Sequence, residues 1–123
     1  MSLNDFLSDF VTRVRNAKMI GRATVTVRKN KVVANVCKTL TSLGYFESFA
    51  DAGNDIEVKM NLGRIHGLKR LSTPGRRLYS SYRILPVIRN GIGYNILSTS
   101  QGVKTNVEAK KDMIGGELLF QIW

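Results

Sequence analysis

The residues with the clearest chemical potential are arginines grouped around one predicted turn. Pro74-Gly75 favours a tight turn, and three guanidinium groups lie close to it along the chain, those of Arg70, Arg76 and Arg77. Guanidinium groups bind phosphate oxygens in bidentate fashion. Nearby Tyr79 can either stack on a nucleic-acid base or pack in the core with its hydroxyl bonded. This segment therefore predicts contact with a phosphate-bearing partner.

Small hydroxyl residues and glycines form two further segments that favour hydrogen bonding to a nucleic acid. The first segment contains Ser98, Thr99, Ser100, Gln101, Gly102 and Lys104. Hydroxyls and backbone N–H groups can bond phosphates, 2′-OH groups and base edges. The second segment is Gly115, Gly116 and Glu117, where the glycines permit close approach and the carboxylate can accept hydrogen bonds from a base or orient a basic side chain. Each segment alone is also typical of an ordinary loop or β turn.

Two basic groups occur in the first half of the chain. Arg28 and Lys31 flank the predicted junction of a strand and a helix, where the helix N-terminus adds its dipole to their attraction for phosphate. Arg13, Arg15 and Lys18 lie on the polar side of the first predicted helix. This second group suits simple solvation equally well.

The charge of the chain points to a polyanionic partner. Nineteen Lys and Arg against nine Asp and Glu give a net charge of +10, although 43% of the residues are hydrophobic and favour a folded domain. Residues 1–63 carry a net charge of +3 and residues 64–123 carry +7, and residues 58–107 contain no acid. Nucleic acid is the leading partner for such a domain, an anionic membrane is a more distant one, and a merely solvated face is the plainest alternative.

Catalysis requires clusters of residues that this sequence lacks. The chain has one histidine, His66, and one cysteine, Cys37, whereas a metal site needs several ligands at suitable spacing. Gly91 and Gly93 lack the later glycine of a dinucleotide-binding loop. The sequence therefore predicts a protein with no metal, no cofactor, no small-molecule substrate and no enzymatic activity.

The first half has the periodicities of an α-β-α-β-β unit. Apolar residues recur at helical spacing in two segments and alternate with polar ones in others. Ser2 and Asp5 resemble a helix capping box. The predicted elements are a helix over about residues 3–19, a strand over 23–27, a second helix closed by Gly44, a strand from Tyr45 and, after a polar turn at 51–55, a strand over 56–62.

The second half is richer in short β segments. The predicted elements are strands over residues 69–72 and 77–79 around the turn at 73–75, strands over 94–98 and 103–105, a helix from a cap at Asn106 to about Asp112, and a last strand over 117–123. We therefore predict an α+β fold with two small lobes. Residues 1–63 form the α-β-α-β-β lobe, and residues 64–123 form a β-rich lobe with a short helix.

Five segments, in order along the chain, resemble motifs of the bacterial-type small-subunit ribosomal protein eight, called the S-eight family below. They are residues 12–17, 43–46, 70–79, 93–110 and 115–117, and the resemblance extends along nearly the whole chain. Three positions depart from the family. Thr73 stands where the family usually has Lys or Arg, Gln101 replaces a frequent Lys, and Lys104 stands where Met is usual.

The resemblance implies a specific ribosomal role. The S-eight family folds into two α+β lobes, and its C-terminal lobe binds an irregular helix in the central domain of small-subunit rRNA. The family is a primary assembly protein, neighbours the S-five family, and in bacteria can repress translation of its own messenger RNA. With the residues chosen above, the predicted RNA-binding set is Arg28, Lys31, Arg70, Arg76, Arg77, Tyr79, Ser98, Thr99, Ser100, Gln101, Gly102, Lys104, Lys110, Gly115, Gly116 and Glu117.

We therefore expect a structural, primary rRNA-binding protein of the small ribosomal subunit. Its ribosome lies in a bacterial cytoplasm or in an organelle, with the mitochondrial matrix favoured over the plastid. The alternatives are a free regulatory RNA-binding protein that represses translation and, from a different class, an RNA-processing enzyme.

Overall fold

Helices and antiparallel sheets build this chain, as a computed structural model describes it for residues 3–73, 75–83 and 93–123. The helices are α1 (Leu3–Met19), α2 (Lys31–Ser42) and α3 (Asn106–Lys111). The strands are β1 (Thr24–Arg28), β2 (Phe46–Ala52), β3 (Asp55–Met60), β4 (Leu68–Arg70), β5 (Tyr79–Ser80), β6 (Tyr94–Thr99), β7 (Gly102–Thr105) and β8 (Gly116–Ile122). This composition confirms the predicted α+β class.

The first sheet and its two helices follow the predicted α-β-α-β-β order. The sheet is antiparallel with strand order β1-β3-β2. Helix α1 buries Leu7, Phe10 and Val14, a spacing of three and four residues that places all three on one helical face. The start of α1 agrees with the sequence, but Ser2 of the predicted capping box lies outside the described residues.

Helix α2 begins and ends where its sequence dictates. The Asn30 side chain accepts a hydrogen bond of 2.7 Å from the backbone N–H of Val33, which caps one of the free donors of the first turn. The helix ends before Gly44, whose φ of +89° is a conformation that glycine adopts at little cost. Cys37 is buried on the apolar stripe, and burial raises the pKa of its thiol to about 12, so it is an inert core residue.

The second sheet has strand order β4-β8-β6-β7, and the short strand β5 also pairs with β8. A register shift between Ile96 and Leu97 places Ile96 opposite Phe120 but Leu97 opposite Leu118. The extra residue, Leu119, is a β-bulge on β8. On one face of this sheet Ile96 and Phe120 join the main core, and on the other face Leu97 and Leu118 form a smaller cluster.

The main core lies between the two sheets and includes side chains from both. Phe10 of α1 contacts Phe46 of the first sheet and Phe120 of the second, with ring centroids 6.2 and 6.0 Å apart. The predicted division at residue 63 falls in the connection between β3 and β4. That division stays a prediction about domain boundaries, while the core is continuous across it.

The predicted cap of α3 was wrong, and two predicted strands have different bounds in the structure. The cap of α3 is Thr105 and not Asn106, because Thr105 and Glu108 form a reciprocal capping box. The strands predicted at residues 69–72 and 77–79 correspond to the shorter β4 and β5. Leu71 and Leu78 still form backbone hydrogen bonds with β8, and the buried Ser72 hydroxyl accepts from the Leu78 N–H at 2.9 Å.

Candidate RNA-binding surface

Strand pairing brings three of the predicted residues into one row across the second sheet. Tyr79 of β5 lies opposite Glu117 of β8, and Glu117 lies opposite Ser98 of β6. Directly opposed residues in an antiparallel sheet project from the same face. Tyr79, Glu117 and Ser98, which the sequence separates widely, are therefore neighbours, and we call them the reading row.

Tyr79 is the most exposed member of the reading row. Tyr79 is 67% exposed, so the alternative that it packs in the core is wrong. An exposed aromatic ring on a β-sheet offers a face on which an unpaired base can stack. The exposed ring of Tyr79 is therefore accessible for stacking on a nucleic-acid base, the role that the sequence suggested.

Backbone hydrogen bonds close the predicted turn before Tyr79. Thr73 and Arg76 exchange both backbone hydrogen bonds, at 2.9 and 3.1 Å; Pro74 lies outside the described residues. Arg76 and Arg77 are exposed, whereas Arg70 of β4 is half-buried. The exposed pair is thus presented beside the reading row by a tight, hydrogen-bonded turn.

The hydroxyls of the β6–β7 turn have different surroundings. The Thr99 hydroxyl donates to the Gly102 carbonyl at 2.7 Å and accepts from the Gln101 N–H at 3.1 Å. Ser100 and Gln101 are exposed at the tip, and Gly102 has a φ of +104° with open space where a Cβ would stand. Thr99 therefore shapes the turn, while Ser100 and Gln101 present polar groups to the outside.

The glycine pair before Glu117 permits close approach between strands. A Cβ built on Gly115 would stand 2.4 Å from the Ser80 carbonyl oxygen, and one on Gly116 would stand 2.2 Å from the Ser98 carbonyl oxygen. Both distances are far below van der Waals contact. The glycines are therefore needed to hold β5, β8 and β6 together beneath the reading row, a role that the sequence interpretation did not include.

Glu117 holds a buried acceptor at the centre of the reading row. The residue is 7% exposed, and its Oε2 atom has no hydrogen-bond partner among the described residues. A buried polar atom without a partner costs about 1–3 kcal/mol, and more when it is charged. The carboxylate is therefore suited to accept a hydrogen bond from a donor that a bound molecule brings.

Two predicted lysines lie away from the reading row. Lys104 pairs with Leu97 in the sheet, one position out of phase with Ser98, and its ammonium lies 3.0 Å from the Asp112 carboxylate. Lys110 is exposed on α3, a helix that packs through Ala109 against Leu97. Both lysines therefore belong to the opposite face of the sheet, and the structure does not bring them to the row.

The basic groups of the first half also separate. Arg28 and Lys31 are exposed at the end of β1 and the start of α2. Lys29, between them, lies 3.3 Å from the Asp51 carboxylate. On α1, Arg13 contacts Asp9 and donates to the Thr26 carbonyl at 2.9 Å. Arg13 thus joins α1 to the first sheet, and solvation alone does not describe it.

Comparison with known proteins identifies the family of the chain. The model of a family described as Ribosomal protein S8 matches residues 5–123. The chain belongs to this family. Small ribosomal subunit protein uS8 of Hyphomonas neptunium is 41% identical with both chains fully covered, and that of Neisseria meningitidis serogroup C is 39% identical over 97% of each chain. The uS8c protein of Tupiella akineta is 41% identical over 97% of this chain and 98% of its own.

Membership of the Ribosomal protein S8 family establishes the coarse function. The protein is a structural component of the small ribosomal subunit, it takes part in translation, and its partners are rRNA and other ribosomal proteins. The family is not enzymatic. Among the described residues there is no group of three or more His, Cys, Asp or Glu that could hold a metal ion, and no helix there is long and apolar enough to cross a membrane.

The relatives also bear on the compartment. They include bacterial proteins and the organellar form uS8c. The expectation of a ribosomal location is confirmed, but the preference for a mitochondrion over a plastid has no support in these relatives.

The sequence interpretation gave no role of its own to one residue that positions the candidate surface. Ser72 is 2% exposed, and its hydroxyl also donates to the Leu78 carbonyl at 3.3 Å. These two hydrogen bonds join the ends of the segment that contains Arg76 and Arg77. They also hold Leu78 in place, next to the position where Tyr79 pairs with β8. A small hydroxyl residue just before a predicted turn was the available signal, since such residues commonly bond nearby backbone.

Proposed function

We propose that this protein binds the central domain of small-subunit rRNA as a primary binder, and that the reading row and its two flanking turns form the specific contact. The observation that carries the proposal is the row itself. It places side by side an exposed aromatic ring, a half-buried hydroxyl and a buried carboxylate whose Oε2 has no hydrogen-bond partner among the described residues. Stacking and hydrogen bonding at one place suit an irregular RNA with an unstacked base.

Specific and non-specific contacts fall on different residues in this proposal. Tyr79 stacks on a base, Glu117 accepts from an amino group or a 2′-OH, and Ser98 and Ser100 donate to base edges or sugars. Gly102 gives the RNA close access to the turn, because no described atom lies within 4 Å of the position a Cβ would take. Gln101, Thr99, Gly115 and Gly116 complete this contact, chiefly by holding the backbone in shape.

The exposed cations orient the RNA on the protein and raise its affinity through contacts with phosphates. Arg76 and Arg77 are next to the reading row and bind phosphates on either side of the recognised base. Arg28 and Lys31, exposed at the end of β1 and the start of α2, bind a second stretch of phosphates. Arg70 supports the first group from β4, while Lys110 adds longer-range attraction. Lys104 contributes least, because its ammonium is already paired with Asp112.

The finer ribosomal assignments follow from the family resemblance. We infer that the protein nucleates assembly of the central domain, that it neighbours the S-five family, and that its ribosome lies in a bacterial cytoplasm or an organelle. The same surface would serve a messenger RNA that imitates the ribosomal site. Translational repression would therefore use the same reading row and would not require a separate RNA-binding surface.

The test is equilibrium binding of the full chain to two RNAs of equal length. One is a fragment of the central domain of small-subunit rRNA that contains its irregular helix, and the other is a perfect duplex. We expect the fragment to bind at least about a thousandfold more tightly at physiological salt, the lower end of the usual ratio for specific sites. Equal affinities for the two RNAs would contradict the proposal.

A further inference from the structure

A groove with a basic rim lies on the side of the molecule where α1 meets β4. It has a volume of about 560 Å³ and lies between the C-terminal half of α1 and residues 65–69. Its buried lining residues, Val14, Ile65 and Leu68, form the floor, and the exposed Met19 also lines it. We call this feature the α1–β4 groove, and none of the RNA-binding residues predicted from the sequence lines it.

Exposed apolar side chains continue from the mouth of the groove. Met19 is 81% exposed and Ile20 is 69% exposed. A single exposed apolar residue is ordinary on a protein surface. Two consecutive ones at the edge of an apolar groove form a patch, and such patches with polar rims mark sites of association.

The rim of the groove is entirely basic or neutral. Arg15, Lys18 and Lys69 contribute their aliphatic stems and cationic heads, and none of the described residues that line the groove is acidic. The Lys18 ammonium donates to the Leu62 carbonyl at 2.6 Å, which fixes that side chain in place. Arg15 and Lys69 are exposed and are available to pair with carboxylates of a partner.

The groove does not suit an RNA base. Stacking needs an exposed aromatic face, and the floor is aliphatic. Of the two aromatic rings in the lining, Trp123 lies against Gly67, where a Cβ would stand 2.4 Å from the ring, and the exposed His66 offers only the small ring of an imidazole. An apolar anchor flanked by carboxylates fits the floor and the rim together.

The groove is also distant from the reading row. Leu68 pairs with Ile122 at one end of β8, and Tyr79 pairs with Glu117 five residues away toward the other end. At about 3.3 Å per residue, the two sites are separated by about 17 Å along the strand. A short segment in the groove therefore does not cover the residues of the reading row.

We propose that the α1–β4 groove binds a segment of a neighbouring small-subunit protein that inserts an aliphatic or aromatic side chain and places carboxylates against Arg15 and Lys69. The basic rim selects the acidic segment and the apolar wall anchors it. Rim charges of this kind act mostly on the rate of association and on its salt dependence. The proposal rests on the place of the protein in the small subunit and does not depend on the reading row.

The partner is identified by photocrosslinking in defined particles. The full chain with Ile20→p-benzoylphenylalanine is assembled into small subunits from purified rRNA and purified proteins, irradiated, and analysed by mass spectrometry. We expect a covalent adduct with one neighbouring protein, at a segment that has acidic residues within a few positions of the adduct. An adduct with RNA alone, an adduct with a second copy of this chain, or no adduct would overturn the proposal.

Charge reversal tests the rim with a matched control. Arg15→Glu combined with Lys69→Glu should slow association of the crosslinked neighbour with the chain–RNA complex by about tenfold. The control, Lys38→Glu combined with Lys111→Glu, makes the same change in net charge at exposed positions outside the groove and should leave that rate within about twofold. Equal effects of the two pairs would overturn the proposal. Failure of the unmodified chain to bind rRNA would instead count against the function proposed for the reading row.

Discussion

Replacement of Glu117 by Gln should stabilise the free protein and weaken its binding to rRNA. Glu117 is 7% exposed, and its Oε2 has no hydrogen-bond partner among the described residues. Burial of an unpartnered charge is costlier than burial of a neutral amide. We therefore expect Glu117→Gln to raise the free energy of unfolding by about 1 kcal/mol.

The effect on RNA binding should have the opposite sign. A hydrogen bond to a charged acceptor contributes about 1.5–3 kcal/mol, whereas one between neutral groups contributes about 0.5–1.5 kcal/mol. The glutamine keeps an acceptor but loses the charge, so binding to the central-domain fragment should lose about 1 kcal/mol, or about fivefold in Kd. A residue with only a structural role would not show this reversal.

Urea unfolding measures the first quantity and equilibrium RNA binding measures the second. The matched control is Glu108→Gln, which makes the same change in charge at an exposed carboxylate. Gln can replace Glu in the capping box with Thr105, so this control should be nearly neutral in both assays after correction for net charge. If Glu117→Gln destabilises the protein, or if its RNA affinity matches that of the control, the assignment of Glu117 as an acceptor for RNA is refuted.

Three further variants test the rest of the surface. Tyr79→Ala should weaken binding to the central-domain fragment by about 1–3 kcal/mol, the usual value for loss of one stacked base, while Tyr79→Phe retains most of the affinity; equal losses for Ala and Phe would exclude stacking. Arg76→Gln combined with Arg77→Gln should weaken binding to the fragment and to a perfect duplex alike, and should reduce the slope of log K against log salt by about 1–2; an unchanged slope would show that these side chains do not contact phosphate. Gly116→Ala should lower the free energy of unfolding by about 1–3 kcal/mol, because its Cβ would stand 2.2 Å from a backbone carbonyl of β6. The control Gly75→Ala, at a position with open space for a Cβ, should change it little. Thermal unfolding measures both variants, and equal stabilities would contradict the close approach at Gly116.

The helices could be predicted because their signals are local. The stripes of α1 and α2 repeat at three and four residues, and Gly44 ends α2 where the pattern stops. Capping at α3 was harder to predict, since Thr105 and Asn106 are both good caps. Tertiary contact decided between them: the Asn106 side chain accepts instead from the Asn95 N–H at 3.1 Å.

The composition of the candidate site was predictable, but its arrangement was not. Residue types identified Tyr79, Ser98 and Glu117 separately, whereas their alignment depends on the register of β5, β8 and β6. Register includes the bulge at Leu119, for which the local pattern contains no signal. Spacing along the chain also could not show that Lys104 lies out of phase with Ser98.

The ring of Phe10, in contact with both Phe46 and Phe120, joins the two sheets in one core, which bears on how the proposed surface would meet a long RNA. One shared core holds the surface with Arg28 and Lys31 at a fixed span from the reading row. A rigid ligand loses little entropy when its second contact forms after its first. The distance between the two protein surfaces would therefore be fixed. The protein would bind those rRNA conformations in which the two contact segments already lie at the matching distance.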